Sequence, residues 1–221
     1  SFMDVFSFLY NEQRRAVHAS DNVMIIAGPG TGKTKTLVAK IQYLIEHEHV
    51  SPQNILAITF TKKAAQELSE KISASLNLST SRTTPFVGTF HACAYEILKN
   101  LDPGISQFSL ADTARQLEIT KQLKHEPTLD RLISMLKPKD ILLLISRIKN
   151  ARAELPDEET LVELYNSLLT QQRLIDYDDI LLRANRALEN VAARTQMQKR
   201  WTHILVDEFQ DTNTAQYDLL F

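Results

Sequence analysis

Apolar residues along this chain fall into two kinds of run. Short unbroken blocks occur at Val23 to Ala27, at Ile55 to Phe60 and at His203 to Val206. They lack the alternation of a half-exposed strand, so they predict strands buried on both faces. A further short strand is predicted from Pro85 to Thr89. Between the blocks the apolar positions take a helical period. The stretch from Lys33 to about His47 sets Leu37, Ile41, Leu44 and Ile45 on one stripe. Helices are also predicted over 11–19, from Lys62 to about Leu76, from Phe90 to Leu98, and from near Asn213. Strand alternating with helix predicts an α/β fold around a parallel sheet with right-handed crossovers.

From about 100 to 178 strand character vanishes. Leu117, Leu123, Leu132, Leu136, Ile141 to Ile145, Ile148, Leu161, Leu164 and Leu168 recur at helical spacing, punctuated by Pro103, Pro127, Pro138 and Pro156. This predicts an all-helical insertion that splits the sheet domain in two.

Composition narrows the class. The 221 residues are 43% hydrophobic and 24% charged, ordinary for a globular protein. No run approaches the roughly 18 apolar residues of a membrane span. No basic start followed by an apolar stretch marks a secretory leader, and Cys93 is alone, so a reducing, cytoplasmic location is expected. Cys93 reads as a small buried helix residue rather than a reactive thiol. Ser1 and Phe2 before Met3 are expected to be extraneous, and Phe221 falls inside the last predicted helix, as in a truncated piece. With 25 basic and 27 acidic residues the net charge is −2, so nucleic-acid binding would need a local groove rather than an overall positive field.

The first strand runs directly into Ala27, Gly28, Pro29, Gly30, Thr31, Gly32, Lys33 and Thr34, a phosphate-loop pattern with Ala at its first position. Glycines at 28, 30 and 32 let the backbone turn its N–H groups inward around phosphate oxygens. The helix starting at Lys33 adds the positive end of its dipole. Lys33 would reach the β and γ oxygens of ATP, and the Thr34 hydroxyl would hold Mg²⁺. Such loops serve kinases, GTPases and motors alike. The block at Ile204 to Val206 ends in Asp207 and Glu208. Adjacent acids are common on any surface. In a parallel sheet, however, this pair would open on the same edge as the loop. Asp207 would then bind Mg²⁺ through water and Glu208 would deprotonate the water attacking the γ-phosphate.

The segment Asp207-Glu208-Phe209-Gln210-Asp211-Thr212-Asn213 closely resembles the second motif of UvrD/Rep-like superfamily 1A DNA helicases. Other segments follow in that family's order. Leu9, Gln13, Ala16 and Val17 resemble its adenine-reading motif, which implies that Gln13 bonds the base. Thr59 to Ala65 resembles a motif that contacts single-stranded DNA, implying contacts from Phe60, Thr61, Lys62 and Lys63. Gly88 to Ala92 is similar to a second such motif, implying contacts from Thr89, Phe90 and His91. Ile145 to Asn150 and Asp176 to Leu181 resemble segments of the helical insertion and of the chain's return. The resemblance also implies a coupling role for Gln210 and Asp211 and places Lys35 beside the phosphates, where an Arg is frequent. Tyr10 stands for a usual Asn, as does Lys62.

The resemblance implies a RecA-like domain 1A made of residues 1–90 and 179–221, and a helical subdomain 1B over 91–178. It implies an ATP- and Mg²⁺-dependent 3′-to-5′ helicase acting on single-stranded DNA and single-strand/duplex junctions, with no membrane partner. The second RecA-like domain, with its arginine finger worth about 10³ to 10⁵ in rate, is expected to be required in cis. The fragment alone is therefore expected to bind nucleotide weakly, hydrolyse it very slowly and unwind nothing. The helicase part of an AddA/RecB-type helicase–nuclease, and an idle nucleotide-gated scaffold, remain alternatives.

For DNA contacts a bland reading stands beside each assignment. Phe60 and Phe90 would serve equally as core residues, and His91 as a helix-start residue. Lys121, Lys124, Lys137 with Lys139, and the cluster Arg147, Lys149 and Arg152 would line either a duplex-facing side or a solvated helix face.

Overall fold

The computed structural model describes residues 23–27, 33–76 and 83–207; the side chains before residue 35 are outside this description. The chain divides into two compact units. One comprises Leu98–Arg183; the other comprises the described residues on either side, with boundaries inside two helices. The helices predicted at 11–19 and near Asn213 lie outside the described residues.

In the flanking unit the unbroken apolar blocks become a parallel sheet. Strands β1 (Val23–Ala27), β2 (Ile55–Thr59), β3 (Phe86–Thr89) and β6 (His203–Asp207) lie in the order β1-β6-β2-β3. Every residue of β2 is buried, as expected for a strand covered on both faces. Helix α1 (Lys33–Glu46) turns Leu37, Ile41 and Leu44 inward at helical spacing. Helix α2 (Lys62–Leu76) does the same with Ala65, Leu68 and Ile72. Both stripes join Ile55, Ala57 and Leu205 in one apolar cluster. Helix α3 (Phe90–Leu101) follows β3 without a loop, buries Cys93, Ala94 and Ile97, and is tied to α9 (Val191–Arg200) by a 3.0 Å ion pair between Glu96 and Arg200. β3 begins one residue later than the apolar pattern predicts, after the imino residue Pro85, which has no N–H to donate to a ladder.

The other unit is built from α4 (Thr113–Leu123), the single turn α5 (Asp130–Ile133), α6 (Pro138–Asn150) and α7 (Pro156–Gln171). The start of α8 (Tyr177–Leu188) also belongs to it. Ile119, Leu123, Ile141, Ile145, Ile148, Leu161, Tyr165 and Leu169 form its core. The expectation of a wholly helical segment needs correction. Strands β4 (Ser109–Leu110) and β5 (Leu174–Ile175) pair in parallel, Ser109 with Leu174 and Leu110 with Ile175. Two-residue strands carry no periodicity, so the sequence pattern conceals them. No helix of the described residues is long and apolar enough to cross a membrane.

Candidate functional site

The phosphate-loop strand and the acid-bearing strand are direct neighbours. β1 pairs with β6 in parallel, residue for residue, ending with Ala27 opposite Asp207. Ala27, the last residue before the glycine-rich segment of the sequence, and Asp207, the first of the acidic pair, therefore lie level on the carboxyl edge of one sheet. That is the edge where parallel sheets bind ligands. Helix α1 begins at Lys33 and runs through Thr34 and Lys35; Lys35 is exposed. Gln13, Gly28, Pro29, Gly30, Thr31, Gly32, Glu208, Gln210 and Asp211 lie outside the described residues.

The same edge continues through β2 and β3. β2 pairs with β6 as far as Ile58 opposite Val206, and with β3 as far as Thr59 opposite Thr89. β2 stops at Thr59, so Phe60 belongs to the turn beyond it. Each strand end feeds a helix through a threonine cap. The Thr61 hydroxyl accepts from the Ala64 N–H at 3.1 Å at the start of α2, and the Thr89 hydroxyl accepts from the Ala92 N–H at 3.2 Å at the start of α3. Thr61, Lys62 and Lys63 are exposed, while Phe60, Thr89 and His91 are half-buried. Phe90 is 7% exposed and meets the Phe60 ring edge-on at a centroid distance of 5.3 Å. Its ring supports Phe60 from within.

The basic residues of the helical unit also sort themselves. Lys149 belongs neither to a DNA-facing side nor to a solvated face. Its side chain is 2% exposed, with Nζ 2.8 Å from Asp176 Oδ2 and 3.0 Å from Asp179 Oδ2, over the Tyr165 ring. Arg147 is held at 2.6 Å by Glu158, and Lys124 donates to the Leu136 carbonyl at 2.8 Å. Lys121 bonds Glu118 at 3.2 Å, while Lys137, Lys139 and Arg152 are exposed. Sequence reasoning missed the Lys149 cluster, although a signal was present: Lys149 follows Ile145 by four residues and so shares its inward stripe. Cys93 is buried, and burial pushes its thiol pKa well up, so the thiolate that reactivity requires is suppressed.

At the opposite edge of the sheet, a cavity of about 520 Å³ is lined by Glu48, His49, Ser51, Asn54, Thr202 and His203 among others. None of the candidate site residues lies there.

The chain is similar to known proteins over nearly its whole length. Residues 9–221 match the family described as UvrD/REP helicase N-terminal domain. The chain is 35% identical over 226 residues to the ATP-dependent DNA helicase PcrA of Bacillus subtilis, covering 94% of this chain and 30% of that protein. It is 35% identical over 225 residues to DNA helicase II of Escherichia coli, covering 95% and 31%. It is 32% identical over 222 residues to the ATP-dependent DNA helicase Rep of Buchnera aphidicola, covering 94% and 34%. The chain thus spans about a third of the length of the curated relatives it matches. With the match running through both strands of the candidate nucleotide edge, the chain belongs to the UvrD/REP helicase N-terminal domain family.

Proposed function

We propose that this chain is the ATP-binding front portion of an ATP-dependent 3′-to-5′ DNA helicase that couples ATP hydrolysis to movement along single-stranded DNA. Residues 1–90 and 179–221 are its RecA-like domain 1A and residues 91–178 its helical subdomain 1B, so each boundary lies a few residues before that of the compact units. The observation that carries this reading is the register of β1 against β6, with Ala27 level with Asp207.

In this reading the N–H groups of Gly28, Gly30 and Gly32 cradle the phosphates and Lys33 offsets their charge. The donor set fits a hard divalent cation, because a carboxylate ends β6 and a hydroxyl-bearing residue follows Lys33. Thr34 and Asp207 would hold Mg²⁺, which would offset charge building on the phosphate oxygens. Glu208 takes the proton of the attacking water. Gln13 reads the base, and Gln210 and Asp211 link hydrolysis to the DNA side. Single-stranded DNA lies across the ends of β2 and β3. There Phe60 and His91 offer flat surfaces, and Lys62 and Lys63 offer cations for the backbone. The first turns of α2 and α3 add backbone N–H groups suited to phosphate.

A second RecA-like domain completes the site and supplies an arginine finger. The complete protein is expected to hydrolyse ATP several-fold faster when single-stranded DNA is added. The 221-residue chain alone is expected to turn over very slowly with or without DNA. A complete protein whose turnover ignores DNA would sink this reading in favour of a nucleotide-gated scaffold.

A further inference from the structure

Thr59 is a polar residue where an apolar one would serve the strand better. It ends β2, is 1% exposed, and occupies a position suited to valine, which has the same shape and no hydroxyl to desolvate. A fully buried hydroxyl is retained at no cost only if it is bonded. Its Oγ1 donates to the carbonyl of Thr61 at 3.1 Å, bridging the bend that carries Phe60. Thr61 in turn caps α2 by accepting from Ala64 N–H, so two consecutive bonds fix the turn from Phe60 to Lys63. On the other side of β2 the ladder to β6 ends one residue earlier, at Ile58 opposite Val206, the residues that directly precede Thr59 and Asp207 in their strands. Thr59 also pairs with Thr89, the cap of the second helix on this edge.

We propose that Thr59 is the positioning residue through which a nucleotide held beside Asp207 sets the DNA-facing turn from Phe60 to Lys63. This rests on the proposed function. A shift at the end of β6 moves the end of β2 beside it, and the Thr59 hydroxyl carries that shift to the Thr61 carbonyl, which the strand's own ladder does not reach. Coupling between two ligands is reciprocal and is read as the factor by which one changes the other's affinity.

The test uses the 221-residue chain, a fluorescent oligothymidylate read by anisotropy, and a non-hydrolysable ATP analogue with Mg²⁺. In the wild-type chain the analogue is expected to change DNA affinity about fivefold or more. Thr59→Val is expected to bring that factor below about twofold while the analogue's own affinity stays within about twofold, as loss of one bond of about 1 kcal/mol requires. Thr59→Ser, which keeps the hydroxyl, is expected to restore the wild-type factor. Full coupling in Thr59→Val overturns the proposal. Equal loss in the Val and Ser variants overturns it too, because volume rather than the hydroxyl would then matter. If circular dichroism shows that the Val variant does not fold, Thr59→Ala is compared with Ser on the same terms. A wild-type chain that binds the analogue and shows no coupling overturns this proposal alone; one that binds no analogue overturns the proposed function as well.

Discussion

Lys149 shows what a single charged side chain does once it leaves water. Its ammonium lies between the carboxylates of Asp176 and Asp179, and the Asp176 side chain is itself 3% exposed. Asp176 also accepts from the Asp179 N–H at 2.8 Å, so the ion pair is joined to the first turn of α8. Removing the lysine strands the buried Asp176 and the half-buried Asp179, and losing one partner of a buried pair costs about 3 to 5 kcal/mol. Lys149→Met is expected to lower the urea-unfolding free energy of the chain by about that much; a loss below about 1 kcal/mol would show that water already screens the cluster. Glu158 acts through protons. The Glu154 N–H at 2.7 Å holds its carboxyl below the usual range against the opposing effect of burial, helped by Arg147 and the Leu155 N–H. A carboxyl lowered on folding adds stability above its ordinary pKa of 4.5, and that contribution is lost as pH falls through 4.5 toward the folded value. Asp179 has the opposite sign: burial first, then the neighbouring Asp176, raise its pKa, so its contribution weakens as pH rises through the ordinary value of 3.8. In melts taken across pH 3 to 6, Glu158→Gln is expected to flatten the acid limb that wild type shows below about pH 4.5. An unchanged limb would assign acid sensitivity to other carboxyls.

At the scale of elements, β3 and α3 meet at one glycine. A Cβ on Gly88 would lie 3.0 Å from the Ala92 Cβ and 3.2 Å from the Phe86 ring, so the helix can follow the strand this closely only without a side chain at that position. Phe86 is not free to yield, as its ring packs at 5.6 Å on the fully buried Trp201. Gly88→Ala is expected to lower stability by about 1 to 3 kcal/mol through overpacking. Adding Ala92→Gly is expected to recover part of that in a double-mutant cycle; strict additivity would show that the contact is relieved elsewhere. The unbroken apolar runs made β1, β2 and β6 legible within a residue, because strands buried on both faces leave no other pattern. Helices α1 and α2 were legible through stripes such as Leu37, Ile41 and Leu44. What escaped was pairing rather than pattern. Ser109 with Leu110 is too short to show a period, and the partner of Lys149 lies 27 residues away, where no local rule reaches. An aromatic at a helix start, such as Phe90, reads alike in sequence whether it faces a base or the core.

For the whole molecule, the decisive relation is between segments about 180 residues apart in sequence that the sheet sets side by side. With a net charge of −2, ligand binding here depends on that convergence rather than on a general field. Of the candidate site, the sequence supplied the residue types and their order, and the sheet sets Ala27 beside Asp207. The sharpest measurement is a titration of the chain with a fluorescent ATP analogue, with and without Mg²⁺, for wild type, Lys33→Ala and Asp207→Asn. Wild type is expected to bind more tightly with Mg²⁺. Lys33→Ala is expected to weaken binding under both conditions, by about tenfold or more for a charge-assisted contact worth about 1.5 to 3 kcal/mol. Asp207→Asn is expected to abolish the Mg²⁺-dependent gain and leave metal-free affinity unchanged. An Asp207→Asn chain that keeps its full response to Mg²⁺, or a wild-type chain that binds no nucleotide, would contradict a shared nucleotide site at the ends of β1 and β6.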